Sequence, residues 1–235
     1  MKKFDLKLSI IVPVYNEKKT INQILNKIHK LKRINKEIIV IDDGSNDGTV
    51  KILKENKNKI TKLVHHKKNK GKGAAIKSAQ KFIKGDVVII QDADLEYNPN
   101  DYYKLLKFIL KGHKVVYGSR VLGKNRYLSD NFSSFMRIFY NHVLTILSNI
   151  LNNQKLTDAH TCYKMFTTDV FKSIKLKEDG FSFCPEITTK IGLKKIRIKE
   201  VPINYLGRSY REGKKITYVD GFIAIKSLFK YRFFY

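Results

Sequence analysis

Between Val87 and Pro99 the chain reads VVIIQDADLEYNP: four β-branched apolar residues that run straight into two carboxylates one residue apart. A continuous apolar run of this length predicts a strand buried on both faces, and such strands belong to parallel sheets covered by helices. Asp92 and Asp94 then fall just past its C-terminal end, the edge at which open α/β sheets hold ligands. On an extended backbone the two side chains project to the same face, so both can reach one hard divalent cation, or one cation and a sugar hydroxyl. The alternative is structural. Acidic residues after a strand can cap the next helix, and Asn98-Pro99-Asn100 has the pattern of a helix start.

The surrounding sequence supports an α/β reading. Leu8 to Val14 (LSIIVPV) and Glu37 to Ile41 (EIIVI) are apolar strands, Ile60 to His65 a third, and Lys114 to Tyr117 a fifth after the one above. Between them, helical spacing runs over Glu17 to Leu31, over a short segment from Asn46-Asp47-Gly48-Thr49, over Gly71 to Ile83 and from Pro99 to Leu110. This alternation predicts right-handed βαβ units and a mostly parallel sheet. Beyond Arg120 the pattern changes. Phe132 to Leu151 is rich in large apolar residues, Thr157 to Phe171 reads as turn, short strand and helix start, and Glu186 to Ile191 reads as helix. Arg197 to Tyr205 alternates as a strand does, and Phe222 to Tyr235 is aromatic and basic.

No Gly/Ser/Pro linker, repeat or low-complexity segment divides the 235 residues, so one domain over 1–235 is expected. A net charge of +26 suggests an anionic partner, but the lysines are spread over most predicted helices, so much of that charge is solvated helix surface. The N-terminus has no apolar stretch of signal-peptide type, and no run of about 18 apolar residues predicts a spanning helix. Cys162 and Cys184 imply neither a disulfide framework nor zinc, and reduced thiols in a cytoplasmic protein are expected.

Five loops are predicted at the C-terminal strand ends: PVYNE (Pro13 to Glu17), DDGSNDGT (Asp42 to Thr49), NKGKGAA (Asn69 to Ala75), QDADLE (Gln91 to Glu96) and GSR (Gly118 to Arg120). All land on one edge of the sheet, where carboxylates, glycines and an arginine converge. GKGAA before a helix either cradles phosphate through backbone N–H groups or makes a tight turn with close packing; the P-loop spacing is missing.

In this order and spacing the five loops resemble the family 2 glycosyltransferases, which use a nucleotide-sugar and a glycosyltransferase-A fold. LTDAHTCYKMF (Leu156 to Phe166), FCPEITTKI (Phe183 to Ile191), EVPINY (Glu200 to Tyr205) and GRSYREGKKITYVDGF (Gly207 to Phe222) narrow the resemblance to the dolichyl-phosphate mannose synthase and polyprenyl-phosphate hexosyltransferase branch. The resemblance implies a nucleotide-sugar half over about 1–120 and an acceptor half over about 121–235. It implies that Pro13, Tyr15, Glu17 and Asp42 hold base and ribose, with Asp43, Lys72 and Ala93 also at the donor. For Asp42 and Asp43, helix capping is the structural alternative. Asp92 and Asp94 would bind Mg²⁺ or Mn²⁺ bridging the diphosphate, which neutralises charge on the departing nucleoside diphosphate. Glu96 stands where some mannose synthases have glutamine; it is either a third oxygen ligand or faces solvent. Arg120 would contact acceptor phosphate or donor diphosphate with its guanidinium fork. Arg208, Arg211, Lys214 and Lys215 are expected to contact phosphate, or else to form a charged surface loop.

The reaction so implied is inverting transfer of a hexose from GDP-mannose or UDP-glucose to a polyprenyl phosphate at the cytoplasmic membrane face. A phosphate acceptor is already ionised near neutral pH, its second pKa being about 6, so Asp158 and Glu186 would orient acceptor or sugar and not remove a proton. If the acceptor is instead a glycan or protein hydroxyl, as in a soluble family 2 transferase, one of them must act as base. Helices over 132–151 and 219–235 would lie in the lipid interface with Lys226, Lys230 and Arg232 at anionic headgroups, or else simply cover the sheet. Relatives often add C-terminal transmembrane helices, so peripheral attachment or a membrane-protein partner is expected. No nucleic-acid motif is present, and no nucleic-acid partner is expected.

Overall fold

The computed structural model describes residues 5–122, 132–208 and 218–234. In chain order, β1 (Lys7–Val14) leads into α1 (Ile21–His29), β2 (Asn35–Asp42) into α2 (Thr49–Glu55), β3 (Lys62–His65) into α3 (Lys72–Ala79), and β4 (Val87–Ile90) into α4 (Tyr102–Ile109). After β5 (Val115–Ser119) come α5 (Phe132–Asn152), β6 (Lys164–Thr167), α6 (Thr168–Ser173), α7 (Phe183–Leu193), β7 (Ile198–Pro202) and α8 (Tyr218–Phe233). The strands form one seven-stranded sheet in the order β3-β2-β1-β4-β6-β5-β7. Only β6 runs against its neighbours, pairing antiparallel with β4 and β5; the other pairs are parallel. The expected α/β class, a mostly parallel sheet flanked by helices with a helix at the C-terminal end, is the observed one.

Local chemistry explains where the elements stop. All four residues of β4 are buried, as the apolar run requires, and each such side chain contributes about 1.5–3 kcal/mol of transfer free energy. Helix α1 starts at Ile21 and not at Glu17, because Asn16 takes a positive φ of 50° and the carbonyl of Glu17 receives the N–H groups of Thr20 and Ile21. Tyr15, Asn16 and Glu17 therefore form a turn after β1, which takes in Pro13 and Val14. The helical segment after GKGAA is shorter than expected: α3 ends at Ala79 and continues as a 3₁₀ turn, Gln80–Phe82. Before α4, a 3₁₀ turn over Pro99–Asp101 is capped by Asn98, whose Oδ1 accepts the Asn100 N–H at 3.1 Å. The cap is thus supplied by Asn98, and neither Asp92 nor Asp94 serves it.

The strand expected within Thr157 to Phe171 is β6, wedged between β4 and β5 with Met165 opposite both Ile89 and Val116. Because β6 reverses direction, β5 points the same way as β1 to β4. The loops after these five strands share one edge of the sheet. Beyond it, α5, α7 and α8 pack on one another. Both α5 and α8 leave an apolar stripe in solvent: Phe139, Val143, Ile146 and Ile150 on the first, Phe222, Phe229 and Phe233 on the second.

Candidate functional site

Strands β1 and β2 pair through Val14 and Asp42, which sets the PVYNE and DDGSNDGT loops side by side. Hydrogen bonds lace them together: Asn16 N–H to Ser45 Oγ at 2.9 Å, Asn46 N–H to Asn16 Oδ1 at 2.9 Å, and Glu17 N–H to Thr49 Oγ1 at 2.9 Å. Pro13 is buried and Tyr15 half-buried on this floor. The two aspartates at the end of β2 and just after it have different roles. Asp42 is buried, with Oδ2 at 3.3 Å from His65 Nδ1 and Oδ1 without a hydrogen-bond partner among the described residues. Buried acceptors are seldom left so, and this one keeps an unused lone pair at the C-terminal end of β2. Asp43 is committed internally. Its carboxylate accepts the N–H groups of Lys70 and Gly71 and lies 2.6 Å from His66 Nδ1. In this arrangement it braces the loop before α3.

That loop is a packing element. Gly71 has φ +101°, and the backbone of Glu178 and Asp179 lies where a Cβ on Gly71 or Gly73 would go. The Ala74 N–H donates to Asp179 O at 3.0 Å and the Ala75 N–H to Gly71 O at 3.1 Å. With the Lys70 and Gly71 N–H groups on Asp43 as well, the close-packing alternative for GKGAA is the one observed.

Lys72 reaches out of this loop to Asp92 in a short ion pair, and Cys162 Sγ lies 3.4 Å from the Lys72 ammonium. Burial alone would raise the Asp92 carboxyl, but the charge of Lys72 holds it below the usual range. Asp94 turns elsewhere, toward Arg208. Its Oδ2 meets Arg208 Nη2 at 2.8 Å, and its Oδ1 accepts the Glu96 N–H at 3.0 Å. Burial first, then the negative charges of Asp92 and Glu96, push the Asp94 carboxyl up to about 7. The same guanidinium sits 3.2 Å from both oxygens of Glu17 and 3.8 Å from Glu96 Oε1. Glu96 does not face solvent: it accepts the Tyr205 hydroxyl at 2.9 Å and the Arg208 N–H at 2.7 Å, tying the 205–208 segment to the end of β4. Ala93 lies buried in the floor between the two aspartates.

These carboxylates fit a divalent cation by their chemistry. Hard oxygen donors surround a cationic group already, the Arg208 guanidinium. Among the described residues no three His, Cys, Asp or Glu side chains gather as a metal cage.

Arg120, after β5, forks onto Asp158, with Nε to Oδ2 at 2.6 Å, Nη2 to Oδ1 at 2.7 Å, and its backbone N–H to Oδ2 at 3.1 Å. Asn141 Nδ2 adds a bond to Oδ1 at 3.3 Å. Burial would raise the Asp158 carboxyl, yet Arg120 holds it at about 2. Tyr205 carries the guanidinium on its ring face at 5.2 Å, and Glu200 accepts the backbone N–H groups of Thr157 and Asp158. Sequence reasoning missed Tyr205, Glu200 and Cys162 as parts of this edge, although EVPINY and TDAHTCYK carry them. Glu186 lies apart from it. Fully buried, it accepts the N–H groups of Lys177 (2.7 Å) and Glu178 (2.9 Å) and pairs with Lys190 Nζ at 2.6 Å. There it braces the 177–179 loop against which Gly71 and Gly73 pack. Arg211, Lys214 and Lys215 lie outside the described residues.

An acid-lined edge at the C-terminal ends of parallel strands is where open α/β folds hold ligands. Residues 9–175 match the family described as Glycosyl transferase family 2, and the chain belongs to it. Dolichol-phosphate mannosyltransferase of Pyrococcus furiosus is 27% identical over 212 residues, covering 89% of this chain and 59% of its own length. UDP-N-acetylglucosamine--dolichyl-phosphate N-acetylglucosaminyltransferase of Methanococcus voltae is 29% identical over 239 residues, covering 93% of each chain. Among solved structures, glucosyl-3-phosphoglycerate synthase of Mycobacterium tuberculosis in complex with Mg²⁺ and uridine diphosphate superposes with a TM-score of 0.71 at 16% identity, covering 97% of this chain and 79% of its own. That likeness shows the shared fold.

Proposed function

We propose that this glycosyltransferase moves a hexose from a nucleotide-diphospho-sugar, GDP-mannose or UDP-glucose, to a polyprenyl phosphate at the cytoplasmic membrane face, with inversion. The observation that carries the reading is the acidic cleft at the ends of β1, β2 and β4, where Glu17, Asp94 and Glu96 face one cation and Asp42 offers an orphan oxygen. Asp42, Pro13, Tyr15 and Glu17 bind the base and ribose; Asp94, with Asp92 beside it, holds Mg²⁺ or Mn²⁺. A cation there supplies Lewis-acid stabilisation of the departing diphosphate.

Arg120 binds the acceptor phosphate, oriented by Asp158. With its carboxyl held at about 2, Asp158 is a very weak base near neutral pH, which disfavours a hydroxyl acceptor that needs deprotonation. A phosphate brings its own anionic oxygen. Both polyprenyl-phosphate relatives above are named for such acceptors.

No helix among the described residues is long and apolar enough to cross a membrane. The stripes of α5 and α8, with Phe222 75% and Ile150 73% exposed, lie in the lipid interface, and Lys226 and Lys230 meet anionic headgroups. A thermal-shift screen of GDP-mannose, UDP-glucose and UDP-N-acetylglucosamine with Mn²⁺ tests the donor half. A bound donor raises the melting temperature by mass action, and no shift with any of them contradicts the reading.

A further inference from the structure

We propose that Arg208 is the resident counter-ion of the cleft, and that a divalent cation reaches Asp94 by exchange against the Arg208 guanidinium. The inference rests on the reading of this cleft as a cation-dependent donor site, and its test is arranged so that the two fail differently.

Three carboxylates, those of Glu17, Asp94 and Glu96, lie within 4 Å of this one guanidinium. The remaining acid of the group, Asp92, is already neutralised by Lys72. Without Arg208 the cleft would hold like charges at short range in a poorly solvated place, which is costly. A cation there offsets that repulsion, and the chain supplies its own in Arg208.

The fit of that internal cation is incomplete. Arg208 Nη1 and Nη2 reach carboxylates, but Nε is buried with no hydrogen-bond partner among the described residues, 3.8 Å from Glu96 Oε1. A guanidinium presents five N–H donors in a fixed fork, and one left unsatisfied in a buried place weakens the hold.

The backbone beneath Arg208 is held independently of its side chain. Leu206 N–H donates to Glu96 O at 2.9 Å, Tyr97 and Tyr205 form an isolated bridge, and Glu96 accepts both the Arg208 N–H and the Tyr205 hydroxyl. Glu96 is then the anchor of this segment. The long side chain can turn about its own torsions while the main chain stays in place, so release costs no strand pairing.

Two consequences follow from exchange. A cation arriving alone must break the Arg208–Asp94 ion pair and place a second positive charge beside the guanidinium, so it binds weakly. A nucleoside diphosphate arriving with it offers the freed guanidinium a pair of phosphate oxygens, which suit its fork. Cation and diphosphate therefore bind with positive coupling, and Arg208 carries that coupling.

Calorimetric titration with Mn²⁺ alone, then with Mn²⁺ in the presence of UDP or GDP, tests this on the wild-type chain and on Arg208→Gln. Loss of the resident cation should tighten binding of Mn²⁺ alone by about tenfold or more, within the usual range of such couplings, and should shrink the enhancement given by the diphosphate. Binding of Mn²⁺ alone that is equal or weaker in Arg208→Gln overturns the exchange. Should that variant fail to fold, the side-chain Nε–H resonance of Arg208, assigned with Arg208→Lys, is followed in the wild type as Mg²⁺ alone is added. A shift that saturates with calorimetric Mg²⁺ binding supports displacement, and an unmoved resonance at saturation overturns it. If the metal arms behave as expected but no nucleoside diphosphate binds, the donor reading fails while the exchange stands. If no form binds either cation, both fall.

Discussion

Replacing Asp158 with asparagine separates the two readings of the acceptor side. Its carboxylate is fully buried and bound at two oxygens by Arg120. The gap between the ordinary 3.8 and about 2 corresponds to about 2.5 kcal/mol of stabilisation at neutral pH. Leaving Arg120 without its partner adds part of the cost of an uncompensated buried charge, so about 3 kcal/mol is expected in all. For a chain of this size that lowers the melting temperature by about 6–12 °C. The sign follows from the depressed folded value: the stabilisation is complete above the unfolded pKa near 4 and is lost as pH falls toward 2. Urea unfolding of wild type and Asp158→Asn should therefore differ most at pH 7 and converge between about pH 4 and pH 2. In a transfer assay the wild-type rate should show no titration from Asp158 between pH 5 and 9. Equal stability at pH 7, or a rate limb in that window abolished by Asp158→Asn, would refute the assignment and restore a base role.

Asp42→Asn should weaken donor binding about tenfold to a hundredfold with little change in melting temperature, because its orphan oxygen makes no bond in the free protein; calorimetry with the responding donor checks this. Gly73→Ala places a methyl against the backbone of Glu178 and Asp179 and should destabilise by about 1–3 kcal/mol, read by urea unfolding; an unchanged midpoint contradicts the packing role of GKGAA. Joint replacement of Phe222, Phe229 and Phe233 by serine should abolish flotation with anionic polyprenyl-phosphate vesicles while leaving donor binding intact. Retained flotation would place the lipid contact elsewhere.

The strands and their loops were legible because burial on both faces writes an uninterrupted apolar run, as in LSIIVPV, EIIVI and VVII, and turn residues follow each one. The antiparallel place of β6 was not, since a four-residue strand carries no sign of its direction. Nor was the division of labour among the acids. Asp92 and Asp94 look alike in sequence, and what separates them is Lys72, twenty residues before Asp92, and Arg208, far beyond Asp94. Asp43 and Glu186 are candidates through the motifs that carry the resemblance, and in the free chain their oxygens accept nearby backbone N–H groups. Hydrogen bonds of that kind leave no trace in composition or periodicity. The exposed stripe of α5 was foreseeable from its spacing, whereas which face meets α7 depends on the packing of the finished fold.

Transfer itself is the most direct test. The purified chain is given radiolabelled GDP-mannose or UDP-glucose with Mn²⁺, with and without polyprenyl phosphate, and the organic phase is counted for the wild type and for Asp94→Ala. Label should enter the organic phase only when the lipid phosphate is present, and Asp94→Ala should abolish it. Lipid-independent transfer to a hydroxyl acceptor, or full activity of Asp94→Ala, would contradict the account.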